Sequence, residues 1–152
     1  MVSELIQSIL APGIMISACG LLILGANNKY SIVVNRIRVL DEEKRKLKWI
    51  KNENEMTEKE ALRLQNIRQQ IHLLYPRIRF VRNAVLSYSI AVSLFVLTSI
   101  FIGFASLVAQ KISDFALVTF MAGMLSVFIG SFFMAKEVVW GYKIVTLEVN
   151  SV

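Results

Sequence analysis

Apolar residues gather into three uninterrupted runs, Leu5 to Ala26, Ala84 to Ala109 and Phe115 to Ala135, and none of them holds Asp, Glu, Lys, Arg or His. A hydrocarbon core of roughly 30 Å takes about 20 helical residues at about 1.5 Å each, and a helix satisfies its own backbone polar groups where water is absent. The pattern predicts an all-α integral membrane fold with three transmembrane helices, over residues 1–26, 84–109 and 115–135. A long polar segment (27–83), a short turn (110–114) and an amphipathic tail (136–152) complete the chain.

Between the first two runs the period changes. Leu64, Ile67, Ile71, Leu74, Ile78, Val81 and Val85 alternate steps of three and four, which is a coiled-coil type of stripe. Val33, Ile37, Leu40 and Leu47 make a weaker one, interrupted at Lys44. Two such stripes predict an antiparallel helical hairpin that extends from the spans. Periodicity lapses at residues 52–56, and Thr57 with Glu60 forms a capping box that opens the second arm. Asp41 with Arg45 and Glu42 with Lys46 are acid-before-base pairs one turn apart, each worth about 0.2 to 0.5 kcal/mol. Pro76 removes a backbone donor, and because the stripe passes it in phase a kink near Leu73 is expected rather than a break. In the tail Val138, Tyr142, Val145 and Val149 repeat the spacing, with Lys136, Glu137, Lys143 and Glu148 elsewhere on the wheel. The tail is expected to dock on the hairpin as the third member of a bundle.

Charge sets the orientation. Of 17 Lys and Arg, 14 lie between Lys29 and Arg82 and only Lys111 falls between the second and third runs. Short basic segments beside spans stay in the cytoplasm. The hairpin and the tail are therefore expected inside the cytoplasmic (inner) membrane, with the amino terminus and the 110–114 turn outside; Trp140 and Tyr142 suit the inner interface. A cleavable signal would want Lys or Arg before the first run and polar residues soon after it, yet Met1 to Glu4 carries only an acid and the apolar run continues through Leu24. Ile16-Ser17-Ala18-Cys19 has the composition of a lipoprotein box, but the same flanks argue for a membrane helix of chance resemblance.

The net charge of +6 and a hydrophobic content of 55% add one distinction. The basic residues are interleaved with Asp41, Glu42, Glu43, Glu53, Glu55, Glu58 and Glu60 and lack a stacking platform, which argues against nucleic acid. Arg36, Arg38, Arg77, Arg79 and Arg82 lie within a few turns of the spans, where anionic lipid headgroups are the natural counterions.

Within the spans, small residues mark faces for close helix contact: Gly13, Ser17 and Gly20 on the first, Thr119, Gly123, Ser126 and Gly130 on the third. The second carries Ser89, Ser93, Ser99, Gly103 and Ser106 on a broader face with two readings. It is a packing seam whose hydroxyls bond their own backbone, or the wall of a conduit assembled from several copies. In the second case Asn27 and Asn28 become inner pore groups and Glu4 and Asp114 an acidic outer mouth; otherwise the asparagines simply end the apolar run.

Catalytic chemistry is missing. His72 is the only histidine and Cys19 the only cysteine, so neither a disulfide nor a zinc cluster is expected. No glycine-rich phosphate loop, carboxylate pair or nucleophile with a base is present, and no cofactor or enzymatic activity is expected. No span holds an ionisable side chain, the usual mark of ion-coupled transport.

Four segments carry a resemblance: Pro12 with Ile14 to Leu24 and Asn28, Val34 to Leu40 with its Arg36-Ile37-Arg38 core, Gln70 to Leu74 with Arg77 to Arg82, and Lys136 to Val149 with Leu147-Glu148-Val149. In these the chain resembles an uncharacterised bacterial family of three-span membrane proteins, a domain of unknown function. Pro76 departs from the basic or apolar residue that family carries. The resemblance implies the fold and no activity. Two roles fit the architecture: a homo-oligomer that encloses an ion-conducting pore, and a non-conducting scaffold or regulatory subunit whose hairpin binds a partner protein or anionic lipid.

Overall fold

The structure, a computed structural model, describes residues 2–53, 57–105 and 111–149, with side chains described over 6–49, 57–105 and 114–141. Three helices make up these residues: α1 (Val2–Glu53), α2 (Glu58–Ala105) and α3 (Lys111–Val149). Each has a stretch long and apolar enough to cross a membrane, within Ile6–Trp49, Glu58–Ala105 and Asp114–Gly141. The chain is thus a multi-pass membrane protein whose outward Leu21, Leu24, Val118 and Phe128 suit lipid as solvent.

Each span and its polar extension form one unbroken helix. At about 1.5 Å per residue the 52 residues of α1 reach roughly 78 Å, far beyond a bilayer core. α2 runs through Pro76 as helix. It opens with one half of the capping box, the Thr57 backbone N–H donating to Glu60 Oε2 at 3.0 Å, while the Glu60 N–H donates to the Thr57 carbonyl at 2.9 Å. α3 begins at Lys111, so the expected outer turn is helical from that residue on; positions 106–110, and residues 54–56 of the expected inner turn, lie outside the described residues.

α2 is the central element. It packs along both neighbours, whereas α1 and α3 barely touch. The buried positions follow a seven-residue repeat in every helix: Pro12, Cys19, Ala26, Val33 and Leu40 on α1; Ile67, Leu74, Val81, Tyr88 and Phe95 on α2; Ala116, Gly123, Gly130 and Glu137 on α3. A sustained repeat of seven keeps one seam facing a partner as the helices wind about each other. α1 and α2 run antiparallel, with Val33 and Leu40 against Ile67 and Leu74, and Ile37, Leu47, Ile71 and Ile78 closing over them. Nearer the other end Cys19, Ala91 and Phe95 are joined by Phe120 and Val127 of α3.

Within one chain, that repeat turns the small-residue face of the first span away from α2 and α3. Gly13, Ser17 and Gly20 are exposed, and a Cβ added at Gly13 or Gly20 would meet nothing within 4 Å. The seam instead follows Pro12, Cys19 and Ala26. A continuous helix keeps one phase, and Val33 and Leu40 of the same helix already set it. The small face of α3 lies where expected. Gly123 and Gly130 sit so close to α2 that an added Cβ would come within 2.7 Å of the Phe95 ring and 2.6 Å of the Tyr88 ring. Thr119 Oγ1 lies 2.9 Å from Thr98 Oγ1, and Ser126 Oγ donates to the Ser87 carbonyl at 2.7 Å.

Candidate functional site

α1, α2 and α3 meet in polar chemistry at one carboxylate, Glu137, whose side chain is 2% exposed. Its Oε1 accepts from Arg77 Nη2 at 2.6 Å and Nε at 3.0 Å, and its Oε2 accepts from Lys29 Nζ at 3.3 Å. Both carboxylate oxygens are thereby engaged, each by a cation from a different helix. Removing a carboxylate from water costs several kcal/mol unless opposite charge and hydrogen bonds compensate. Two cations do so here, and the cluster keeps one excess positive charge.

The surroundings were visible in the sequence only indirectly. Gly123, Gly130 and Glu137 are seven apart, so the close-packed face of α3 runs straight into the acid. Glu137, off the expected apolar stripe of the tail, is buried, because α3 crosses residue 135 without a break and keeps the phase of Gly123 and Gly130. Val138, expected on the buried stripe of the tail, is 54% exposed. Lys136 turns the other way, with its Nζ 4.7 Å from the centre of the Phe132 ring. Gly141 faces the cluster, where a Cβ would lie 3.0 Å from Arg77 Nη2, so its lack of a side chain gives the guanidinium room. Tyr142, Val145 and Val149 lie outside the residues with described side chains.

Beside the cluster lies a cleft of about 450 Å³ to which all three helices contribute, lined by Lys29, Ile32, Val33, Arg77, Val138 and Gly141 with Glu137. Arg77, expected beside anionic lipid headgroups with the other arginines, gives Nε and Nη2 to Glu137 and keeps 24% of its side chain exposed. Arg36, Arg38, Arg79 and Arg82 are exposed. Arg79 shares a groove of about 560 Å³ with His72, Tyr75 and Asn83.

The other expected positions are dispersed. Ser89 and Ser93 are exposed on α2, and their hydroxyls donate to the carbonyls of Val85 and Ser89 at 2.9 and 3.1 Å. Ser99 Oγ donates to the Phe95 carbonyl at 3.0 Å, and Gly103 is half-buried. Asn27 and Asn28 are exposed at the end of the first apolar run, and Asp114 is exposed in the first turn of α3. The side chain of Glu4 and all of Ser106 lie outside the described residues. Among the described residues, one chain does not bring these groups together around an axis.

Farther along the polar arms, Arg63 grips Glu43 through Nε at 2.8 Å and Nη2 at 3.2 Å, joining α1 to α2. These bonds hold the Glu43 carboxyl below its ordinary range, against a smaller opposing effect of burial. Asp41 pairs with Lys44 at 3.5 Å rather than with Arg45, while Glu42 and Lys46 pair at 3.9 Å. Among the described residues no group of three or more His, Cys, Asp or Glu is placed to hold a metal.

A family model described as protein of unknown function (DUF2721) matches residues 9–147. No curated protein and no solved structure matches the chain.

Proposed function

We propose, from the premise that the chain belongs to the DUF2721 family of proteins of unknown function, that it works as a homo-oligomer in the membrane and that the assembly encloses an ion-conducting pore. The observation that supports this is the unequal use of the two small-residue faces. On α3 the face is filled by Phe95 and Tyr88; on α1 the Gly13, Ser17 and Gly20 face meets nothing. Such faces let helices approach closely in lipid, where packing rather than the hydrophobic effect drives association. The first helix supplies the contact between copies. Ser89 and Ser93 then line the conduit with Ser99, Gly103 and Ser106, since a single chain presents hydroxyls without enclosing a path. The polar arms and the tail lie in the cytoplasm and the amino terminus outside, in keeping with the basic segment between the first two spans.

The deciding measurement is the mass of the particle in lipid nanodiscs, combined with ion flux through reconstituted vesicles. A monomer overturns the assembly and the pore together. An oligomer that passes no ion at any voltage removes the pore and leaves the assembly.

A second reading is favoured by the exposed Arg36, Arg38, Arg79 and Arg82. In it the chain is a non-conducting scaffold or regulatory subunit whose basic arms hold anionic lipid or a partner protein, each arginine near the surface gaining about 1 kcal/mol. Reversing Arg79 and Arg82 to Glu weakens binding to vesicles rich in phosphatidylglycerol if this reading holds, and unchanged binding removes it.

A further inference from the structure

The cleft beside Glu137 has the charge, the space and the position of a ligand site. We infer that it binds a singly charged phosphodiester, in the first instance the headgroup of an anionic phospholipid. The inference deepens the lipid-binding reading above, and rests on it only for the source of the phosphate.

Charge comes first. Lys29 and Arg77 bring two positive charges and Glu137 one negative, so a single positive charge faces the cleft. An ammonium has three donors and a guanidinium five, whereas the bonds to Glu137 use one from Lys29 and two from Arg77. The Lys29 side chain is also 45% exposed. Donors therefore remain on both cations, held in place by the carboxylate behind them. Glu137 is a positioning residue: it orients both cations and lowers the charge of the site by one, to the value that one phosphodiester neutralises.

Space and position agree. About 450 Å³ is open to the outside, and its walls combine the two cations with the apolar Ile32, Val33 and Val138. Such walls suit the glycerol and first methylenes of a lipid better than a free ion. Lys29 lies three residues past the first apolar run and Glu137 two residues past the third, which puts both at headgroup depth when those runs cross the bilayer. Gly141 contributes by absence, since a side chain there would press on the guanidinium.

The test uses the full chain in phosphatidylcholine nanodiscs containing phosphatidylglycerol, with native mass spectrometry counting phosphatidylglycerol retained per chain. Lys29→Gln is expected to weaken retention roughly fivefold and Lys29→Arg to preserve it. Glu137→Gln, which leaves the site doubly positive, is expected to strengthen retention by a similar factor although it loosens the fold. A purely structural acid would move retention the other way. Lys46→Gln, on an exposed lysine paired only along its own helix, serves as the unchanged control. Displacement of the lipid by millimolar inorganic phosphate would assign the same site to a soluble phosphate instead. Retention unaltered by Lys29→Gln and by Glu137→Gln overturns the inference. Loss of retention in an Arg79→Gln, Arg82→Gln variant but not in Lys29→Gln also overturns it, in favour of diffuse attraction to the arginine belt.

Discussion

Arg77 of α2 donates from both Nε and Nη2 to a single oxygen of Glu137 on α3, leaving the second oxygen for Lys29 of α1. One carboxylate thereby ties three helices together close to where the apolar runs end. α1 and α3 have little other contact, so the Lys29 bond is their principal polar tie.

Glu137→Ala strands Arg77 with most of its side chain out of water, and breaking a buried pair in this way costs about 3 to 5 kcal/mol. A value near the lower end is expected, since the half-exposed Lys29 recovers hydration. Glu137→Gln keeps acceptor geometry without charge and should cost less. Arg77→Met combined with Glu137→Met should be milder than either change alone, because no uncompensated charge stays buried. Denaturant titration in detergent micelles, followed by circular dichroism, reads each of these variants, and a Glu137→Ala protein as stable as the parent would contradict the cluster.

Glycine substitutions separate the two small-residue faces. At Gly123 and Gly130 a methyl group collides with the rings of Phe95 and Tyr88, themselves buried with little freedom to retreat. Overpacking of this kind costs about 1 to 3 kcal/mol and outweighs the helix propensity gained over glycine. At Gly13 and Gly20 nothing stands in the way, so Ala leaves the stability of a single chain unchanged or slightly raised. Gly13→Leu with Gly20→Leu should likewise spare the fold but lower the particle mass in nanodiscs, because the contact proposed between copies needs close backbone approach. Wild-type mass in that variant would argue against α1 as the interface.

The hydroxyl seam between α2 and α3 is a lesser contribution. Thr98→Val removes the contact with Thr119 Oγ1 and Ser126→Ala the bond to the Ser87 carbonyl, each expected to cost about 0.6 kcal/mol, the mean for hydrogen bonds between membrane helices. Denaturation midpoints of the single and double variants should shift additively, as the sites lie two turns apart. A loss of several kcal/mol from either would assign the seam a larger role than its geometry supports.

Acid should loosen the polar arms. Arg63 holds the Glu43 carboxyl below its unfolded value, so the pair stabilises fully above the ordinary glutamate range and the contribution fades as pH falls through the lower, folded value. Both side chains are more than a third exposed, and solvent screening limits the effect to a few tenths of a kcal/mol. The arms should melt slightly earlier below about pH 4, and Arg63→Gln should abolish that part of the acid dependence. An identical acid response in the variant would show that other carboxylates govern it.

Three helices, their approximate limits and the capping box at Thr57 were legible because each depends on residues near one another in the chain. Uncharged runs of twenty or more residues, a three-and-four spacing, and a Thr with Glu three places on carry their physical reasons locally. The inward face of the first span was not legible in that way. Small residues mark a face fit for close contact, but which face turns toward α2 within the chain follows the phase imposed by Val33 and Leu40 many turns away. Glu137 was missed for a related cause, since dividing α3 at the end of its apolar run hid the seven-residue step from Gly130 to the acid.

What the sequence determined by itself is that this chain lives in a membrane and crosses it with helices, because burying uncharged runs of this length depends on composition and on backbone hydrogen bonding alone. Which face each helix turns inward, and that Lys29, Arg77 and Glu137 share one site, were decided only by the tertiary structure. Residues 108 and 60 positions apart become neighbours through the mutual register of three helices, and register is a property of their packing together rather than of any one segment.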